Sequence, residues 1–266
     1  MNTTGGLNLV RTGRPGSYPV VLLHSAGLEL TYWEHQIAAL RPDHDVVAID
    51  LPGHGRSKAT PTAITLEHMT HAVTSAIAGL DVGPVGLVGL SVGGLIAQTV
   101  ALENPAAVSS LVLIDTAARF TSTGQDAMRL RAETARREGM SAVLDGLFEH
   151  WFLPETRRQR PELIDRATKT LLGADQNVHA ALWEMIADFD VLGRLPEVTA
   201  PTLVLVGEHD SNSPVSAART LRDAIAGAEL HVVADAAHLA PLERPDDVTS
   251  HIAAFLGQKT TSRTGQ

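Results

Sequence analysis

The pentapeptide Gly89-Leu90-Ser91-Val92-Gly93 constrains this chain more than any other stretch, because of what flanks it. Before it, the apolar run from Val85 to Leu90 reads as a buried strand. After it, Gly93-Gly94-Leu95-Ile96-Ala97-Gln98-Thr99-Val100-Ala101-Leu102 reads as a helix. A strand that turns so sharply into a helix holds the central serine in a strained conformation, with its hydroxyl exposed at the strand's end. Side chains at the flanking glycines would collide with a neighbouring strand or helix. From Val82 to Leu102 there is no charged residue, a length that could span a membrane. Pro84, several glycines, Ser91, Gln98 and Thr99 interrupt that run, so a buried strand followed by a buried helix explains it better. A dinucleotide fingerprint would want glycine at Ser91, and the Gly-Lys-Ser/Thr ending of a P-loop is absent.

Strand-length apolar runs recur at Val20–His24, Val46–Asp50, Leu111–Asp115, Thr202–Gly207 and Leu230–Ala234. They are almost wholly apolar rather than alternating, as in parallel strands covered on both faces. Helical spacing lies between them, in Leu66, Met69, Val73, Ala76, Ile77 and Leu80. Pro245-Asp246-Asp247 reads as the first turn of a closing helix. The alternation predicts an α/β fold with a mostly parallel, doubly wound sheet. It stops between Ala118 and Leu195, where Asp126–Arg137, Met140–Trp151, Glu162–Leu172 and Val178–Phe189 read as helices. The expected organisation is a core of residues 1–118 and 196–256, an inserted helical cap over 119–195, and a flexible polar tail over 257–266. The cap would cover the carboxyl edge of the sheet, where open α/β sheets bind ligands.

At 266 residues with no cysteine, the chain can bury a large core without disulfides and has no thiol nucleophile or cysteine-ligated zinc. A net charge of −9 argues against nucleic acid or an anionic membrane as partner. The N-terminus lacks the layout of a secretion signal, so a soluble cytoplasmic protein, monomeric or a small homo-oligomer, is expected.

A serine hydroxyl needs a base to take its proton, and the base needs an orienting acid. Two strands run into candidates at the correct edge and in the order nucleophile, acid, histidine. Thr202–Gly207 leads to Asp210, and Leu230–Ala234 leads to His238. Glu208 is a nearby competitor that should point away, and Asp115 reads as a buried structural carboxylate. His209 precedes the acid in the chain, and His54 in Pro52-Gly53-His54-Gly55-Arg56-Ser57 reads as a turn stabiliser. His68 and His71 share a helix face without an evident third ligand, so no metal site is expected. The oxyanion formed by attack needs N–H donors. Val92 should supply one and Ala26 the other, with Ser25 the alternative. Ser25, Arg119, Trp151 and Leu239 are candidates for the substrate pocket.

These segments resemble the α/β-hydrolase superfamily over essentially the whole chain. The resemblance rests on His24-Ser25-Ala26-Gly27, Asp50-Leu51-Pro52-Gly53-His54-Gly55-Arg56-Ser57, the serine pentapeptide with Gly94, Gly207-Glu208-His209-Asp210 and Ala237-His238. Within it, His24-Ser25-Ala26-Gly27, Leu90 to Gln98, Thr116-Ala117-Ala118-Arg119 and His150-Trp151-Phe152 look like 3-oxoadipate enol-lactonases. That resemblance implies a serine hydrolase that opens a small lactone or ester without a cofactor. Carboxylesterases, carbon–carbon bond hydrolases and cofactor-free perhydrolases share most of these motifs. A non-catalytic hydrolase-like receptor would keep the pocket but often lose a triad member. Gly173-Ala174-Asp175-Gln176-Asn177 and Asp210-Ser211-Asn212-Ser213-Pro214 depart from the enol-lactonase pattern and are expected to face substrate. An enol-lactone of this kind carries a carboxylate, for which Arg119, Arg129, Arg131, Arg136 and Arg137 are the available cations.

Overall fold

A computed structural model describes residues 2–4 and 6–263, with side chains from 6 to 258. Its strands are β1 (Asn2–Thr4), β2 (Leu7–Gly13), β3 (Tyr18–Leu23), β4 (His44–Ile49), β5 (Val85–Leu90), β6 (Val108–Ile114), β7 (Thr202–Gly207) and β8 (Glu229–Val233). They form one sheet in the order β1-β2-β4-β3-β5-β6-β7-β8. From β4 to β8 every pairing is parallel, while β1 and β2 are antiparallel. All six parallel strands follow the apolar runs to within a few residues; β3 to β7 are buried almost throughout, while β8 at the edge is only partly so. β2 carries no such run: Leu7 and Leu9 are buried, while Val10 and Arg11 are exposed. An antiparallel strand near a sheet edge needs only one apolar face.

The helices are α1 (Glu34–Leu40), α2 (Leu66–Ala78), α3 (Val92–Glu103), α4 (Ser122–Glu138), α5 (Leu144–Trp151), α6 (Pro154–Gln159), α7 (Pro161–Leu172), α8 (Gln176–Ala187), α9 (Val215–Ala224), α10 (Ala240–Glu243) and α11 (Pro245–Arg263). On β5, a side chain at Gly86 would meet Leu256 of α11, whereas one at Gly89 would meet the backbone of Gly93 in α3. The two positions face opposite sides, the alternation of a strand covered twice. α11 runs on through Gly257 to Arg263, so the backbone over seven residues expected in the polar tail is helical. Residues 264–266 lie outside the described residues. No helix among the described residues is long and apolar enough to cross a membrane.

Between β6 and β7 the chain leaves the sheet as α4 to α8. α6 has no sequence signal, since PETRRQ is polar and only Thr156 of it is buried. Arg129 pairs with Asp188 at 2.6 Å and Arg136 with Glu184, holding α4 against α8. The cap is seated on two core loops by glycines. A Cβ on Gly53 would lie 2.4 Å from Val178, and one on Gly27 would lie 2.5 Å from Leu171.

At that seam the ring of His179 from α8 packs on His54, which packs in turn on His24, with centroids 5.3 and 5.1 Å apart. Neither ring nitrogen of His179 has a hydrogen-bond partner, and Nε2 of His54 lacks one. Burial lowers His54 from its ordinary 6.5 to about 4 and His179 to about 3. Above pH 6.5 these histidines are neutral whether the chain is folded or unfolded. Below it the unfolded chain takes up protons that the folded chain refuses, so stability is lost as pH falls from 6.5 toward 4. The loss approaches about 1.4 kcal/mol per pH unit for each histidine. The melting temperature is therefore expected to drop between pH 7 and pH 4.5, and His179→Phe should flatten that slope. A thermal-shift series in which the two chains fall in parallel would overturn this account of the seam.

Candidate active site

Parallel strands all end at one edge, and four ionisable or nucleophilic residues follow them there. Ser91 follows β5, Asp115 follows β6, Asp210 follows β7 and His238 follows β8. Ser91 takes φ 54° and ψ −116°, a conformation that raises its side chain off the strand–helix corner. Two close approaches enforce it. A Cβ on Gly89 would sit 2.3 Å from the carbonyl oxygen of Gly93, and one on Gly93 would sit 2.4 Å from that of Leu23. The Ser91 N–H donates to the Ile114 carbonyl at 2.8 Å, and Thr116 Oγ1 donates to the Ser91 carbonyl at 2.9 Å.

Ser91 Oγ lies 2.9 Å from His238 Nε2, and His238 Nδ1 lies 2.9 Å from Asp210 Oδ2. The other oxygen, Oδ1, accepts the N–H groups of Asn212 and Ser213 at 2.8 and 2.9 Å. The three residues expected to work together are thus joined end to end, and both His238 and Asp210 are buried. Asp115 is not in this line. Its Oδ1 accepts the Gly207 N–H at 2.8 Å and its Oδ2 the Ala240 N–H at 2.9 Å. Burial first, then the charge of Asp210, pushes its carboxyl well above the ordinary range. It is a fully buried link between the ends of two strands and α10, as a structural carboxylate should be. Glu208 is exposed and accepts the Asp235 N–H at 3.3 Å.

His24 is committed at both nitrogens: Nδ1 bonds the Ser25 carbonyl at 2.8 Å, and Nε2 accepts the Leu51 N–H at 3.0 Å. It fixes the Ser25-Ala26 turn beside the serine. Val92 begins α3, so its N–H has no acceptor within the helix. The chamber at Ser91 holds about 40 Å³ and is lined by Ser25, Ala26, Val92, Trp151, Trp183 and Arg131, among others. The Ser25 hydroxyl is buried without a hydrogen-bond partner. An outer vestibule of about 750 Å³ adjoins it, and Phe120, Met128, Arg131 and Asn212 line both.

Two pocket expectations need correction. Leu239 is fully buried and does not line the chamber; its N–H donates to the Trp151 carbonyl at 3.2 Å as the chain turns into α10. Arg119 lines only the vestibule, because its backbone is held in an antiparallel bridge to Asp190. Asn212 and Ser213 do line the chamber. Gly173, Ala174 and Asp175 instead line a separate cavity beside His54 and His179. Of the cap arginines, Arg129, Arg136 and Arg137 are paired with carboxylates. Arg131 has no hydrogen bond or ion pair among the described residues. Its guanidinium lies 5.5 Å from the Trp183 ring centroid, and burial lowers its pKa.

Glu243 carries no sequence signal beyond being an acidic residue near His238. It is buried and bridges the cap to the histidine loop. Its Oε1 accepts the Leu153 N–H at 2.8 Å and the Thr156 hydroxyl, while Oε2 accepts the Ala237 N–H at 2.6 Å. Glu243→Gln turns an amide N–H₂ toward one of these donors, a loss on the order of 2 kcal/mol. We expect a lower melting temperature and a reduced kcat in the folded protein. An unchanged kcat would show that this carboxylate does not position the loop.

The comparisons with known proteins bear on the fold and family. A family model described as the alpha/beta hydrolase fold matches residues 18–245. The chain belongs to the α/β-hydrolase family, and enol-lactonases are among the proteins it is similar to. It is 24% identical over 250 residues to 3-oxoadipate enol-lactonase 2 of Acinetobacter baylyi, covering 94% of this chain and 92% of that one. The crystal structure of the enol-lactonase from Burkholderia xenovorans LB400 superposes with a TM-score of 0.89 at 30% identity, over 94% of this chain and 96% of that one. A thermophilic esterase from Thermogutta terrifontis, solved with malate bound, gives 0.88 at 32% identity, over 96% and 93%. Hydrolase activity is thereby supported.

Proposed function

We propose that the protein is a serine hydrolase that opens a small lactone or ester bearing a carboxylate, in the manner of a 3-oxoadipate enol-lactonase. The reading rests on the unbroken line Ser91–His238–Asp210, with 2.9 Å at each contact. His238 Nε2 takes the Ser91 proton as Oγ adds to the substrate carbonyl, and Asp210 holds the imidazole through Nδ1–H. The N–H groups of Ala26 and Val92 receive the oxyanion. Collapse breaks the acyl C–O bond, His238 returns the proton to the leaving oxygen, and water then releases the acyl group by the same steps. No step calls for a metal or cofactor.

Ser91→Ala and His238→Ala should each lower kcat roughly a thousandfold or more, and the double variant should lose little beyond either, since both disable one step. Asp210→Asn should be severe in kcat, while Asp115→Asn should cost mainly stability. Additive losses in the double variant, or a worse kcat for Asp115→Asn than for Asp210→Asn, would sink the assignment.

Arg131 supports the carboxylate. A partly buried guanidinium without a carboxylate of its own is placed to take one from a ligand, and this one lines both chamber and vestibule. A bidentate contact contributes about 1.5–3 kcal/mol. Carboxylate-bearing lactones should thus exceed their methyl esters in kcat/KM by more than about tenfold, and Arg131→Gln should erase the preference. Equal rates on acid and ester in the wild-type enzyme would leave a broader lactonase or carboxylesterase.

A further inference from the structure

At the edge of the sheet, three strands along from the one that carries Ser91, the fold assembles a ligand set that sequence spacing hides. His231 lies on β8, at the edge of the sheet, and Asp247 and His251 lie one turn apart on α11. Sixteen and twenty residues separate the strand residue from the helical pair, so no local motif announces them. The two imidazoles stack with centroids 3.6 Å apart and planes 30° apart. Both turn Nε2 toward a single carboxylate: His251 Nε2 is 3.3 Å from Asp247 Oδ1, and His231 Nε2 is 3.9 Å from Asp247 Oδ2. All three side chains are half-buried, and their ligand atoms lie within 4.8 Å of one another.

We propose that His231, Asp247 and His251 form a binding site for a divalent first-row transition ion, zinc in the first instance. The spacing carries the argument. The two N···O separations are longer than the roughly 2.9 Å of a good hydrogen bond. An ion about 2.0–2.1 Å from each of two ligands at a tetrahedral angle sets those ligands roughly 3.3–3.4 Å apart. The His251–Asp247 edge already has that length, and His231 joins it once its ring turns out of the stack so that both Nε2 lone pairs point at one ion. Two imidazole nitrogens and one carboxylate oxygen suit zinc, nickel, cobalt or copper rather than magnesium or calcium. The remaining coordination positions face solvent and would hold water. A second group, Glu208, His209 and Asp235, is fully exposed and offers only one imidazole, and Glu208 is already engaged with the Asp235 N–H. It serves as the internal control. Bound at the first group, the ion would tie the edge strand to α11 without touching the serine chemistry.

The test uses untagged full-length protein, freed of metal, and titrates it with cobalt followed by visible absorption and with zinc followed by calorimetry. One ion per chain is expected, with the d–d bands of a low-coordinate cobalt site and a zinc-dependent rise in melting temperature. His251→Ala and His231→Gln should each weaken binding at least tenfold and abolish the thermal shift, with circular dichroism confirming that both remain folded. His209→Ala should bind as the wild-type chain does. Undiminished binding in His231→Gln and His251→Ala, loss of binding in His209→Ala, or no saturable binding by the wild-type chain would each overturn the proposal.

Discussion

The contact on which the rest of this molecule depends is between backbones, where α3 enters against the ends of β3 and β5. Gly89 and Gly93 allow an approach that a single methyl group on either would forbid. Ser91 is thereby driven into a positive-φ conformation, a strain of order 1–3 kcal/mol that only a well-packed surround can sustain. That surround is here: α3 is buried along nearly its whole length. The strain has a geometric return, since it lifts one hydroxyl clear of the sheet edge while the next N–H stays free at the helix start. Everything else at the site is arranged around that raised oxygen.

Much of this was legible in the chain because the constraints are local. The glycine pair, the apolar strands and the polar residue after each strand are all visible within a few positions, and parallel strands bring their ends to one edge. Ser91, Asp210 and His238 could be placed by that logic, and Asp115 set aside. What stayed hidden depends on contacts between distant segments. Leu239 next to the histidine reads as a pocket residue, yet the Trp151 carbonyl draws its backbone away into α10. Arg119 and Arg131 are indistinguishable as sequence, and only the pairing of the other cap arginines with Asp188, Glu184 and Glu138 leaves Arg131 alone at the chamber. β2 shows no apolar run because half of it faces outward, and His231 meets α11 only through the sheet.

The space at Ser91 is narrow: its chamber holds about 40 Å³ against about 750 Å³ in the vestibule. Phe120 and Met128 line both it and the much larger vestibule, so their side chains border the way from one to the other. Arg131 borders the same way.

The shared carboxylate of Glu243 gives the cap a second character. One of its oxygens holds the start of α6 and the other holds the N–H beside His238, so the roof and the base are fastened to the same peg. Raising that part of the roof withdraws a partner from the loop that carries the imidazole. Glu243 thus couples the position of that part of the roof to the loop that carries the imidazole. A change of the roof at α6 therefore also reaches the base, while α8 is tied to the core in its own way, through Val178 and His179.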